Sequence, residues 1–195
     1  MVGVYALDPD TALMLRAAKG DPACFELLLH KHRASVVNHL YRFVHNHAIA
    51  EELAQDVFLR IYRSREKYQP EAKFTTWLFR ISTNVALNWR RDTRRETALL
   101  RLDEDTSENA RKIEVTDKMP RADEVLMQDT VAKEIRSVVE TLPPKQLAAV
   151  ILHKYEGLDY SEIAEVLDCS IPALKSVLFR AYETLRRRLA HFAPV

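Results

Sequence analysis

Apolar residues in this chain recur at intervals of three and four, and nowhere do they alternate with polar ones over a useful length. Helices have that period and strands do not, so the sequence restricts the fold to the all-α class. Glycine and proline place the breaks. A first helix is expected from about Asp10 to Lys19, stopped by Gly20, and a second starts at Pro22, since a missing N–H costs little in a first turn. The second runs to about His45 with Phe25, Leu28, Val36, Leu40 and Phe43 among its apolar positions. A third spans roughly Ala48 to Arg65, with Leu53, Ala54, Val57, Phe58, Ile61 and Tyr62 as its buried stripe. A fourth starts near Phe74 and runs to about Arg95. From Glu96 the pattern fails, and Asp103, Glu104, Asp105 and Glu108 cluster among sparse apolar residues. Such a composition supports no core, so residues 96–121 are expected to form a flexible acidic linker. Helicity resumes near Ala122, runs to Thr141, breaks at Pro143 and Pro144, and continues as three helices to Phe192. Two helical domains result, residues 1–95 and 122–195.

Residues 156–189, EGLDYSEIAEVLDCSIPALKSVLFRAYETLRRRL, are the most informative about function. Tyr160, Ile163, Ala164 and Leu167 fall at i, i+3, i+4 and i+7 and make one apolar stripe on a short helix. Asp168, Cys169 and Ser170 make a turn, with Ser170 as N-cap and Pro172 in the first turn of the next helix. There Leu174, Leu178, Ala181 and Leu185 point inward, which sends Lys175, Ser176, Phe179 and Arg180 outward. A helix-turn-helix places such a second helix in the DNA major groove. Lys and Arg then pair with guanine acceptors or phosphate, Ser serves either, and Phe packs on a thymine methyl.

Net charge is only +1, but its distribution is uneven. Counting Lys and Arg against Asp and Glu, residues 57–95 carry +7, residues 96–140 carry −5 and residues 170–195 carry +4. Two basic blocks around an acidic middle point to two separate surfaces for a polyanion. The segment FTTWLFRISTNVALNWRRDTRR, residues 74–95, interleaves aromatics with hydroxyls, amides and arginines. That mixture suits single-stranded DNA, with bases lying on aromatic faces and cations holding the backbone. Other chemistry is weakly represented. Three glycines form neither a GxGxxG nor a GxxxxGK pattern, so phosphate loops of those kinds are excluded and no cofactor is expected. Cys24 and Cys169 lack paired zinc spacing, and His30 with His32, or His45 with His47, sit at i and i+2 and face apart on a helix. No metal is expected. The acids Glu51, Glu52 and Asp56 have no nucleophile or base partner, which speaks against catalysis. Neither a leader peptide nor a run near 18 apolar residues is present, so the expectation is a soluble cytoplasmic protein without membrane insertion.

The order of these segments resembles a bacterial RNA polymerase sigma factor of the small extracytoplasmic-function (ECF) type, in which two helical domains, sigma-2 and sigma-4, are joined by an acidic linker. The resemblance rests on AAKGDPACF (17–25), AEELAQDVFLRIYR (50–63), FTTWLFRISTNVALNWRR (74–91), LPPKQLAAVILHKYEGLDYSEIAEVLDCS (142–170) and IPALKSVLFRAYETLRRRL (171–189). It implies that Glu51, Glu52, Leu53, Gln55, Asp56, Val57 and Leu59 dock on the clamp helices of the polymerase's largest subunit. It also implies that Tyr68, Lys73, Phe74, Thr75, Thr76 and Trp77 open the −10 element and hold an extruded base, with Arg80, Asn84, Asn88, Arg90 and Arg91 on or beyond that helix. Pro172, Ala173, Lys175, Ser176, Phe179 and Arg180 match the −35 readers, and the second domain would meet the polymerase β flap. The linker corresponds to the segment that threads toward the polymerase active site. An anti-sigma factor is an implied partner. Asn88 stands where Asp is common, Ala173 where Thr is common, and Val177 and Tyr182 where Arg is common; the last three, in or beside the −35 helix, imply weaker or altered −35 recognition.

Two rivals remain at this stage. A stand-alone helix-turn-helix regulator needs a dimer interface and a palindromic site, whereas this chain spends a second domain on features suited to single strands. An enzyme acting on nucleic acid needs a metal cluster or an activated nucleophile, which the sequence lacks.

Overall fold

The computed structural model describes residues 8–104 and 134–192, and every regular element among them is helical. The chain divides into two compact units, Met1–Thr116 and Asp117–Val195.

The first unit contains α1 (Pro9–Ala18), α2 (Pro22–Val44), α3 (His47–Ser64), one 3₁₀ turn (Arg65–Lys67) and α4 (Phe74–Glu104). Its first three helices are started by side chains that accept from otherwise orphaned N–H groups: Asp8 from Thr11, Asp21 from Cys24 and Asn46 from Ile49. Pro9 and Pro22 follow their caps at the first helical position, and α2 ends where His45 turns left-handed at φ 51°. Helix α2 is central and packs against α1, α3 and α4. Met14, Leu28, Leu40, Phe43, Ile61, Phe74 and Leu78 fill the interior. Two buried polar pairs cross it. Asp10 accepts from Lys31 Nζ at 2.7 Å and lies 2.9 Å from His32 Nε2, joining α1 to α2, while His39 Nε2 and Thr83 Oγ1, 3.1 Å apart, join α2 to α4.

Two expectations are corrected here. Tyr62, assigned to the buried stripe of α3, is 40% exposed, and Leu53 is only half-buried. The fourth helix does not stop near Arg95 but continues to Glu104. Residues 91–99 are all exposed, so no apolar face marks this stretch in the sequence; Arg, Glu, Ala and Leu favour helix without one. The remainder of the expected linker, residues 105–121, and the expected helix start at Ala122 lie outside the described residues.

In the second unit α5 (residues 134–140) precedes α6 (Pro144–Tyr155), α7 (Tyr160–Val166), α8 (Ile171–Arg188) and a 3₁₀ turn (Ala190–Phe192). Leu142, Leu147, Ile151 and Leu152 pack with Ile163 and Ala164 of α7 and with Leu174, Leu178 and Ala181 of α8. Arg188 donates to Thr141 Oγ1 at 2.7 Å, and His191 Nε2 lies 2.8 Å from Glu134 Oε1, fastening the end of α8 and the 3₁₀ turn to α5 and the residue that follows it. Tyr160 does not join the stripe predicted for α7: it occupies the first helical position, is 39% exposed, and sets its ring 5.4 Å from that of His153.

Candidate nucleic-acid and partner interfaces

The start of α7 and the turn that joins it to α8 are both locally encoded. Asp159 accepts from the N–H groups of Ser161 and Glu162 while Glu162 accepts from the Asp159 N–H, a reciprocal capping box. Asp168 supplies the left-handed residue, φ 49°, and Ser170 Oγ accepts from Ala173 N at 3.4 Å, as its sequence position predicts. Leu174, Leu178 and Ala181 are buried, so Pro172, Ala173, Lys175, Ser176, Phe179 and Arg180 are all exposed. Phe179 is 69% exposed, a large aromatic with no burial of its own. Ser176 Oγ donates to Pro172 O at 3.1 Å, which occupies its proton until another acceptor replaces that carbonyl. Tyr182 is different from the sequence expectation. It is half-buried, its hydroxyl is 2.8 Å from His153 Nδ1, and Lys154 Nζ lies 5.7 Å from the ring centroid. Burial pushes the Tyr182 phenol pKa up. This residue binds α8 to α6, and a cation is not simply missing from a phosphate contact there.

In the first unit the expected −10 residues separate into two sets. Arg80, Asn84, Asn88 and Arg91 are exposed and spaced by four, four and three, so they form one row along α4. Lys73 is exposed, and Thr75 and Trp77 are half-buried at the head of that row. Tyr68, Phe74 and Thr76 are instead inside, at 9%, 0% and 2% exposure, and shape the surface from beneath. The rings of Tyr68 and Trp77 meet at a tilt of 48° with centroids 4.9 Å apart. Thr76 Oγ1 is buried with no hydrogen-bond partner among the described residues. Arg90 is directed inward: its Nη1 donates to the Phe43 carbonyl at 2.7 Å, satisfying an orphan acceptor at the end of α2.

The face expected to meet a protein partner contains an apolar groove of about 350 Å³ between α2 and α3. Glu51, Gln55 and Leu59, at i, i+4 and i+8, line it from α3, with Leu29 and Arg33 opposite on α2. Leu59 is 51% exposed, and Arg33 donates to Glu51 at 2.6 Å across the rim. Glu52 and Asp56 lie on the adjoining flank, where Asp56 accepts from Arg60 Nε through both oxygens at 3.0 Å. Val57 is fully buried and belongs to the core; it cannot reach a partner, because the i+2 spacing from Leu59 turns it to the opposite side. Leu29 and Tyr62 escape the sequence reading. The excess of apolar residues in the run Leu27, Leu28, Leu29 was the available signal, since one helical face cannot bury all three.

The histidine pairs do not converge: His32 is committed to Asp10, whereas His30 and His47 are exposed. Among the described residues no three His, Cys, Asp or Glu side chains are grouped to hold a metal ion, and no helix is long and apolar enough to cross a membrane.

Comparison with known proteins matches residues 28–96 to Sigma-70 region 2 and residues 132–185 to Sigma-70 region 4. An ECF RNA polymerase sigma-E factor of Haemophilus influenzae is 30% identical over 184 residues, covering 92% of this chain and 95% of that protein. The RNA polymerase sigma-H factor of Pseudomonas aeruginosa is 29% identical, covering 93% and 94%. Among solved structures, CnrH in complex with the cytosolic domain of CnrY is similar at a TM-score of 0.68 and 21% identity, covering 95% of this chain and 100% of that one. RpoE of Bartonella quintana, in complex with the anti-sigma factor NepR, is similar at 0.61 and 20%, covering 85% and 96%. At these identities the two structures speak to the fold.

Proposed function

The chain belongs to the sigma-70 family, in its ECF branch, and we propose that its two helical units divide promoter recognition between them. It is an RNA polymerase sigma factor that directs core polymerase to specific promoters and so starts transcription. The observation that carries the division of labour is that each unit has its own exposed row of DNA-suited side chains. On α8, Lys175, Ser176, Phe179 and Arg180 read the −35 element from the major groove, with Pro172 and Ala173 against the backbone. On α4, Arg80, Asn84, Asn88 and Arg91 track the −10 strand below Lys73, Thr75 and Trp77, which meet the extruded base. Tyr68, Phe74 and Thr76 shape that site from within, and Arg90 braces it.

Residues 1–95 then form the domain that docks and melts, residues 96–121 the connecting acidic segment, and residues 122–195 the −35 domain. Glu51, Glu52, Leu53, Gln55, Asp56 and Leu59 meet the clamp helices of the largest polymerase subunit, with Leu59 and Gln55 in the groove and the acids at its rim. The second domain contacts the β flap. An anti-sigma factor is the third partner; both solved relatives named above are in complex with other chains, and NepR, bound to RpoE, is an anti-sigma factor. The protein has no chemistry of its own: promoter opening draws on strand capture and needs neither a cofactor nor ATP hydrolysis. Its place of action is the cytoplasm, with the polymerase.

The test is transcription of fragmented genomic DNA from the source bacterium by purified sigma-free core, with and without this protein, followed by sequencing of RNA 5′ ends. New discrete starts that share upstream motifs near −10 and −35 are expected. Absence of such starts with soluble protein and active core would favour a stand-alone regulator.

A further inference from the structure

The N-terminus of α4 receives an acceptor from outside its own helix. Lys73 precedes the helix, and an ammonium donates but cannot accept, so its side chain cannot take up the orphan N–H groups of the first turn. The acceptor comes from another helix. Phe74 N donates to Thr11 Oγ1 of α1 at 3.2 Å, 63 residues away in sequence and in a buried setting. Thr11 Oγ1 in turn donates to Asp8 Oδ2 at 2.8 Å, and Asp8 is the N-cap of α1, accepting also from Thr11 N at 2.9 Å. One carboxylate therefore orients a hydroxyl so that its lone pairs face α4. The first turn of α1 is itself fixed to α2 by Asp10, which is buried and bonded to Lys31 and His32. His32 extends the brace, with its ring 5.5 Å from that of Phe74. The 3₁₀ turn Arg65–Lys67, which leads into the other end of the loop, packs against α1. Both ends of the loop spanning residues 68–74 are thus held against α1.

We propose that Thr11 is a positioning residue for the strand-capture site: by capping α4 from outside, the Asp8–Thr11 pair sets the conformation of the loop spanning residues 68–74 and the placement of Trp77. Thr11 touches no DNA and acts through Phe74. The loop must present Lys73, Thr75 and Trp77 in one arrangement, and the acceptor at its α4 end comes from α1. This inference rests on assigning strand capture to residues 68–77, and its test separates the two.

The chain has two tryptophans, so a Trp89→Phe background leaves Trp77 as the sole emitter. In that full-length protein, Thr11→Val removes the acceptor at near-constant volume, Thr11→Ser restores it, and Met14→Ala damages α1 at a buried position away from the cap. Acrylamide quenching of Trp77 is measured without DNA, along with melting temperature, affinity for core polymerase and the rate of open-complex formation on a promoter identified by 5′-end sequencing. Thr11→Val is expected to raise the quenching constant about twofold and slow opening about tenfold with core affinity unchanged, the loss of one buried hydrogen bond being of that order. Thr11→Ser is expected to restore both. Unchanged quenching in Thr11→Val, failure of Thr11→Ser to rescue, or the same pattern from Met14→Ala at an equal loss of melting temperature would each overturn the positioning role. Altered quenching with unchanged opening would instead overturn the assignment of strand capture to this loop, and the functional half of the proposal with it.

Discussion

Val57 and Leu59 stand two positions apart on α3, and about half a helical turn separates their side chains. Val57 is fully buried and Leu59 half exposed at the groove. Substitution should therefore separate stability from binding. Val57→Ala is expected to destabilise the first unit by about 1–3 kcal/mol through a core void, read as a lower melting temperature. Leu59→Arg should leave melting unchanged and reduce affinity for core polymerase at least tenfold, as measured by competition with labelled protein; unchanged affinity would remove the groove from the docking face. Arg180 and Lys175 make the reciprocal case on α8. Replacing either by Ala is expected to weaken promoter-specific initiation by about 1–3 kcal/mol, roughly 5- to 150-fold, with core affinity intact. At this scale the sequence was most legible where one side chain makes one choice: Ser170 caps because a serine precedes a helix-starting Ile-Pro, and Phe179 is exposed because Leu174, Leu178 and Ala181 are not. It was least legible for Arg90 and Tyr182, whose partners, the Phe43 carbonyl and His153, are 47 and 29 residues away.

Helix α4 shows why element ends are harder to read than element cores. Its inward positions through Ala86 announce a helix by their spacing, but beyond Arg91 every described side chain is exposed, including Leu99 at 63%. Hydrophobic periodicity vanishes there because nothing is packed, while backbone propensity carries the helix on. Thr97 lies on this exposed stretch, and its hydroxyl donates to the Thr93 carbonyl at 2.9 Å. Thr97→Pro should lower helical circular dichroism by the last turns of α4 and leave the melting temperature of the unit within about 1 °C, since the broken segment supports no core. A large drop in melting temperature would mean that this stretch is packed against something. The 3₁₀ turn and the loop that follow α3 illustrate the opposite case, where no periodicity exists and order comes from α1.

For the whole molecule, charge patterning is legible in the sequence as two basic blocks around an acidic middle, because net charge per segment needs no knowledge of packing. Which arginines are available to DNA was not readable in this way. Arg80 and Arg91 are exposed on the row along α4, whereas Arg90 is turned to α2. Promoter binding by the holoenzyme should weaken steeply with salt, and Arg91→Ala should reduce the slope of log K against log salt by about one, whereas a core-packing change should shift affinity without changing the slope. The exposed row on α4 is also a ruler. From Arg80 to Arg91 the helix rises about 16 Å at 1.5 Å per residue, while stacked nucleotides advance about 3.4 Å each along a strand. On the proposed assignment one rigid helix would span about five nucleotides, half a turn of DNA, so the length of element that the first unit reads would be set by the straightness of α4 and not by how many contacts its side chains could make.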